Sequence, residues 1–455
     1  MAKLIILELF IYFGLKVLKV NKGRNLETLA LSLLISLGYL GFIPFVLNEY
    51  INISYPTSIN YMVITSILFF LITLLLKQPK VINKFVLPRH LHVSFSQCLL
   101  FISFVLLIAR GIIMPLRGWD AVSLYDSRAK MFLSGLKLSE MKYLSDYDDK
   151  NSKYYFSYPP MTSAIHTVFY SQNVENVMII YAIFYICLAI FLYIFLRERN
   201  IDKYLKVGLF LAVMLNPEML SLTSVAHTNL PCLAFQFAAL FYLLRYLKEK
   251  SSEYFIISAI LLGFSIWTRS LEPIYVGFLI GAVYIIFRQQ RKRLLNKVIL
   301  LSIYFLLSVG VRYFWSYFLK SSVGFTGESL PTLSLIINRF TDSILLSNLI
   351  DVTLFIYIAF DRLKYYLIFY FGMLVIFIIK DKKRMLKPSS ILVSIVILSM
   401  FVVMVLGTIY FSVTRDFWDK ISDSFFRSCL LFILLFISSI ALMLDKSERS
   451  KYEIE

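Results

Sequence analysis

Charge is what this 455-residue chain has least of. Asp, Glu, Lys and Arg make up 16% of it and hydrophobic residues 59%, where soluble domains carry about a quarter and about half. That excludes an ordinary globular domain. Cysteine is almost missing: Cys98, Cys187, Cys232 and Cys429 all fall inside apolar runs, without paired or metal-ligand spacing, so neither a disulfide framework nor a thiolate zinc site is expected. Histidine is as scarce, and no H-x-x-H or H-E-x-x-H accompanies His166 or His227, which argues against zinc chemistry. Repeats, heptads and low-complexity tracts are also missing. Acidic residues are outnumbered, 28 against 46 Lys and Arg, for a net charge of +18. A nucleic-acid binder would gather that surplus on the face of a soluble module. Here the basic residues punctuate the gaps between apolar runs, so no nucleic-acid partner is expected.

What is present is a series of apolar runs long enough to cross roughly 30 Å of hydrocarbon. The expected fold is all-α, a polytopic transmembrane protein with the lipid bilayer as its surroundings. The N-terminal run lacks a small-residue cleavage site and reads as a first spanning helix. Runs at 3–19, 26–47, 60–76 and 94–115 are separated by a basic gap (Lys19, Lys22, Arg24), a gap around Glu49, and a second basic gap (Lys77, Lys80, Lys84, Arg89). Basic gaps belong in the cytoplasm, so residues 118–160 emerge on the outer side. Further spans follow at 178–196, 204–222 and 229–247, then two short runs within 254–287 broken by T-R-S-L-E-P, then 296–317, 363–380, 390–412 and 426–444. Residues 161–171 are too short to span and read as a re-entrant or interfacial helix, and 320–360 as an amphipathic interfacial segment. The total is about 13 spans, N-terminus outside and C-terminus inside. The chain divides into N-terminal helices, 1–93, and a larger membrane domain, 94–455, with an outer loop at 116–177.

That loop is the longest polar interval, opening G-W-D-A-V-S-L-Y-D-S-R-A-K and closing F-S-Y-P-P. A carboxylate at the membrane surface with cations close by suits group transfer from a lipid phosphate. The carboxylate takes a proton from an acceptor hydroxyl, and Arg or Lys stabilises the departing phosphate. Asp120 is the expected base and Asp126 its substitute. Arg128, Lys130 and Arg269 are the candidate phosphate partners, although snorkelling accounts for most interfacial cations. Arg269 and Glu272 interrupt two short apolar runs, and ionisable groups at membrane depth are functional suspects. Asp146, Asp148 and Asp149 form an acidic cluster. A solvated loop is the simpler reading, with a divalent cation, Mg or Mn, held through oxygen ligands as the alternative.

The W-D-A at 119–121 with A-K at 129–130, Y-P-P at 158–160, N-L-P-C-L-A-F from Asn229 and T-R-S-L-E-P at 268–273 resemble the GT-C fold glycosyltransferases. The bacterial branch related to protein O-mannosyltransferases and lipid A aminoarabinose transferases is the nearest in look. The resemblance runs from about Arg117 to the C-terminus, leaving the first three helices outside it. It implies a polyprenyl-phosphate sugar donor, inversion at the anomeric carbon, and a glycan, lipid or protein acceptor. The setting it implies is the extracytoplasmic side of the inner membrane. By position Asp120 inherits the base role, with Trp119, Arg128, Lys130, Tyr158, His227, Asn229, Arg269 and Glu272 around the substrates. Two positions depart from the pattern: Ser157 and Asn229 stand where relatives often have carboxylates, which leaves a metal requirement open. The competing class is a lipid-linked oligosaccharide polymerase, ligase or flippase, which needs no carboxylate base.

Overall fold

The computed structural model describes residues 1–18, 25–76, 102, 105–111, 113–118, 120–141, 158–269, 272–288, 294–323, 345–381, 385–414 and 418–446. They are helical throughout, with no strand among the described residues. Three N-terminal helices come first: α1 (Ala2–Val17), α2 (Asn25–Ile51) and α3 (Tyr55–Leu76). Residues 105–111 are helical and lead to a π-helical turn, Asp120–Asp126, that runs directly into α4 (Ser127–Leu133). Next are the short α5 (Met161–Ser171), α6 (Met178–Arg197), α7 (Lys203–Met214), α8 (Pro217–Ser221), α9 (Asn229–Glu249) and α10 (Ser252–Thr268). The remainder is α11 (Glu272–Arg288), α12 (Leu294–Leu307), α13 (Val309–Phe318), α14 (Leu345–Lys380), α15 (Pro388–Thr414) and α16 (Trp418–Leu444).

Among the described residues four helices, α2, α3, α6 and α9, are long and apolar enough to cross a membrane, or six candidates if each of two bent pairs counts as one span. The figure of about 13 spans is therefore not reached among the described residues. Three boundaries differ from the sequence reading. The span expected at 204–222 is broken, α7 and α8 meeting at 50°, because Asn216 caps a new helix through Met219 N (3.0 Å) and Pro217 opens it. The span at 296–317 bends by 40° between α12 and α13, where the Ser308 hydroxyl bonds back to the Tyr304 carbonyl at 2.5 Å. Residues 345–380 form one helix of 36 residues, not an interfacial piece followed by a span. No proline interrupts the stretch, so nothing forces the chain to break there. Likewise, residues 418–424, expected in an outer loop, are the first turns of α16.

The core lies on α6 and α9, whose windows are the most buried of the candidate spans, and on α2. Gly41 lets α2 come close to its neighbours: a Cβ there would lie 2.5 Å from Met161 Cγ at the head of α5. Trp267 of α10 donates to the Gly41 carbonyl at 2.8 Å and packs edge-on against Phe42 and Trp315. α5 is helical as expected and is packed inside the protein. Residues 161–169 are all buried, with α2, α3, α4 and α6 around them.

The helix ends sort into two poles. At one, Arg245 of α9 is ion-paired with Glu27 of α2 (2.7 Å), Glu198 after α6 (2.5 Å) and Glu249 (3.2 Å). The Asp445 carboxylate accepts from Asn200 N (2.9 Å) and its carbonyl from Lys387 (3.2 Å). At the other pole lie the α2–α3 turn, the π turn with α4, the head of α5, the α8 region and the end of α10. The positive-inside argument separates the same two groups of residues, placing the first in the cytoplasm.

Candidate active site

The site pole is built on the segment from Gly118 to Met141. Gly118 has φ +98°, a conformation that favours glycine, and faces Val225 and His227. The chain then winds into the π turn, a form of helix frequent at functional sites. Ala121, Leu124, Tyr125, Ala129 and Phe132 are buried and fix the segment on the protein. Phe132 stacks on Tyr55 of α3, with ring centroids 4.7 Å apart and planes 15° apart. Thr167 of α5 donates to the Ala129 carbonyl at 3.1 Å, and Tyr125 donates to Thr228 at 3.4 Å.

Three polar groups lie inside this frame. Asp126 is buried and both its oxygens are engaged: Tyr170 of α5 donates to Oδ1, and Lys130 pairs with Oδ2 at 2.8 Å. Burial, reinforced by that carboxylate, holds the Tyr170 phenol above its ordinary range, so it stays a donor. Arg128 is buried and donates to the Tyr158 carbonyl at 3.1 Å. Burial pulls its guanidinium down to about 10, against the opposing influence of Tyr125 and Tyr55, so it is a cation at neutral pH. Below them His166 shares a hydrogen bond with Tyr181 of α6 at 3.1 Å, while its Nδ1 has no hydrogen-bond partner. Burial pushes this imidazole down to about 4, with Asp126 pulling the other way. It is neutral at physiological pH.

The remaining predicted residues sort as follows. Asp120 opens the π turn, six residues before Asp126, and its side chain lies outside the described residues. So do Trp119, the side chain of Glu272 in the first turn of α11, and Asp146, Asp148 and Asp149. Lys130 is largely exposed, and Tyr158 leads into the buried Pro159–Pro160 pair. His227 and Asn229 are buried beside the head of α9. Arg269, at the end of α10, places its charge near Cys232 in the first turn of α9. Thr268 beside it contacts Met161 Sδ at 2.6 Å. Tyr158 thus lies at the head of α5 beside Arg128, and Asn229 and Arg269 lie about the head of α9. Among the described residues no group of three or more His, Cys, Asp or Glu is arranged to hold a metal ion.

Sequence reasoning missed the carboxylate Glu49, which reaches across to Leu138 and Ser139. It also gave His166 no role. Neither has a local signature, because each is defined by contacts from distant parts of the chain. Cys187 and Cys232, both inside apolar runs, are buried and free, Cys232 meeting Ser265 and Gln236 at 3.3 Å. Cys98 and the Cys429 side chain lie outside the described residues.

Residues 157–315, which begin one residue before the Tyr158 carbonyl held by Arg128, match the family model of dolichyl-phosphate-mannose-protein mannosyltransferases. Over this stretch, about a third of its length, the chain is similar to that family. It is a glycosyltransferase family of the GT-C type. The matched stretch contributes α5 to α12 and most of α13, and with them Tyr158, His227, Asn229 and Arg269, while α1–α4 lie outside it. No curated protein and no solved structure matches the chain.

Proposed function

We propose that this protein is an inverting glycosyltransferase that moves a sugar from a polyprenyl-phosphate donor to an envelope glycan, lipid or protein on the outer face of the inner membrane. Asp120 is the base that takes the acceptor's proton as the sugar transfers. Asp126 is committed to Tyr170 and Lys130 and organises the segment. Arg269, at the rim between α9 and α10, meets the donor phosphate, and the buried Arg128 adds positive potential while joining the acidic segment to the matched stretch. Any divalent cation would fall to Asp146, Asp148 and Asp149.

The observation that carries this reading is the hydrogen bond from Arg128 to the Tyr158 carbonyl. It ties the segment that holds the acidic residues to the start of the family-matched stretch, which supports reading the family's helices and the expected base as parts of one site. The test is mass spectrometry of envelope glycans and lipid-linked intermediates from cells with and without the gene. The expected result without it is one sugar missing from the glycan and its polyprenyl-phosphate donor accumulating. Accumulation of a complete lipid-linked oligosaccharide would replace this reading with a polymerase, ligase or flippase.

A further inference from the structure

We infer that Glu49, on a helix outside the family-matched stretch, is a positioning residue that holds the far end of the catalytic segment in register. The inference rests on the transferase reading above. Glu49 lies at the end of α2, where Asn52 takes a left-handed conformation (φ 61°) and turns the chain toward α3. Its carboxylate accepts from the Leu138 and Ser139 amides, the latter at 3.4 Å, and from the Ser139 hydroxyl at 2.8 Å. Two consecutive backbone amides and a hydroxyl on one carboxylate make a charge-assisted clasp. Beside it Lys137 donates from its ammonium to Asn52, and its amide donates to Glu140 at 2.9 Å. Tyr55, three residues beyond Asn52, stacks on Phe132.

The α2–α3 turn therefore grips the segment behind α4, while Gly118, Tyr125 and Arg128 secure its front against α9 and Tyr158. Gly135, at φ +96°, turns the chain between the two grips, the Leu136 amide donating back to the Met131 carbonyl of α4 at 3.1 Å, and the Glu49 clasp takes hold just beyond that turn. A base at the head of such a segment keeps its geometry only if the segment cannot rotate. Misplacement by about 1 Å can cost on the order of 10²-fold in rate. The first three helices thereby acquire a role, since they supply a clamp that the matched stretch lacks.

The test uses the full-length protein in lipid nanodiscs, with a polyprenyl-phosphate mannose as donor. Glu49→Gln removes the charge and one acceptor oxygen but keeps the shape; Glu49→Asp keeps the charge. The expected result is a kcat about ten- to hundredfold lower in Glu49→Gln, a donor KM within about threefold of wild type, and partial recovery in Glu49→Asp. Hydrogen exchange at Leu138 and Ser139 should accelerate at least tenfold in Glu49→Gln with the thermal midpoint little changed. Unchanged exchange would overturn the clasp. Faster exchange with wild-type kcat would overturn the positioning role. Protected amides in a wild-type protein that transfers no sugar would instead refute the transferase reading, and the positioning role with it.

Discussion

Asp120 and Asp126 are six residues apart, and the structure gives a reason for them to respond differently to the same substitution. Asp126→Asn removes an ion pair whose Lys130 side chain is 68% exposed, worth at most about 1 kcal/mol. It also turns the bond from Tyr170 into a neutral one, a loss of about 1–1.5 kcal/mol. The sum, about 1–2.5 kcal/mol, would reduce transfer by about five- to seventyfold only if all of it were expressed in the transition state. Asp120→Asn removes the proposed general base, a role whose usual contribution is about 10²–10⁴. Purified variants should be assayed with a radiolabelled polyprenyl-phosphate sugar, measuring donor binding and transfer separately. Binding should hold in both. A double-mutant cycle of Asp126→Asn with Tyr170→Phe should show coupling, because the two groups share one bond. Near wild-type transfer by Asp120→Asn together with a thousandfold loss in Asp126→Asn would refute the assignment and make Asp126 the base.

Two further outcomes follow from the same geometry. His166 is held near 4 in the fold and titrates at about 6.5 when unfolded, so the unfolded chain binds the extra proton between these values. The stability His166 contributes is complete above about 6.5 and is lost as pH falls toward 4, by at most about 3 kcal/mol. Thermal midpoints of wild type and His166→Gln between pH 4.5 and 8 should therefore converge at the acid end, and parallel profiles would contradict the burial argument. For sidedness, Ser54→Cys, Ser134→Cys and Ser221→Cys should react with an impermeant thiol reagent from outside intact cells, and Lys203→Cys and Ser252→Cys only after lysis. Outside labelling of the second pair would invert the topology and with it the proposed outer site.

Much of this arrangement was legible in the sequence because it follows from local rules. Apolar run length marked the helices, basic gaps separated the two poles, and T-R-S-L-E-P marked the break that ends α10 at Thr268 and starts α11 at Glu272. The polar interval after Arg117 pointed to the segment that now carries Asp126 and Arg128. What stayed hidden has a common physical origin. Glu49 served the sequence argument only as a marker of a non-basic gap, since its three donors are about ninety residues away. Glu8, within the first apolar run, gave no signal of Ser32 (2.5 Å) and Ser36 (2.6 Å) on α2, which donate to it. Asp126 looked like a spare base because its partner Tyr170 comes from a different helix. Helix continuity from Leu345 to Lys380 was misread because scattered polar residues lowered hydropathy without breaking the backbone.

The two poles answer to each other through three helices. Arg245 binds carboxylates at the ends of α2, α6 and α9 itself, and its guanidinium lies over the rings of Phe241 and Tyr254. Removing one member of a buried ion cluster typically costs about 3–5 kcal/mol, because a charge is left without compensation. So the far ends of these helices are held in fixed relation. Each of the same three delivers a group to the site pole: Glu49 from α2, Tyr181 from α6 to His166, and Asn229 from α9, beside Thr228 and Tyr125. Without aligned far ends, a clasp such as Glu49 would transmit helix motion to the segment proposed to carry the base. With the far ends tied, the same clasp transmits rigidity. That is a physical reason for the chain to carry buried charge at the pole where no chemistry is proposed.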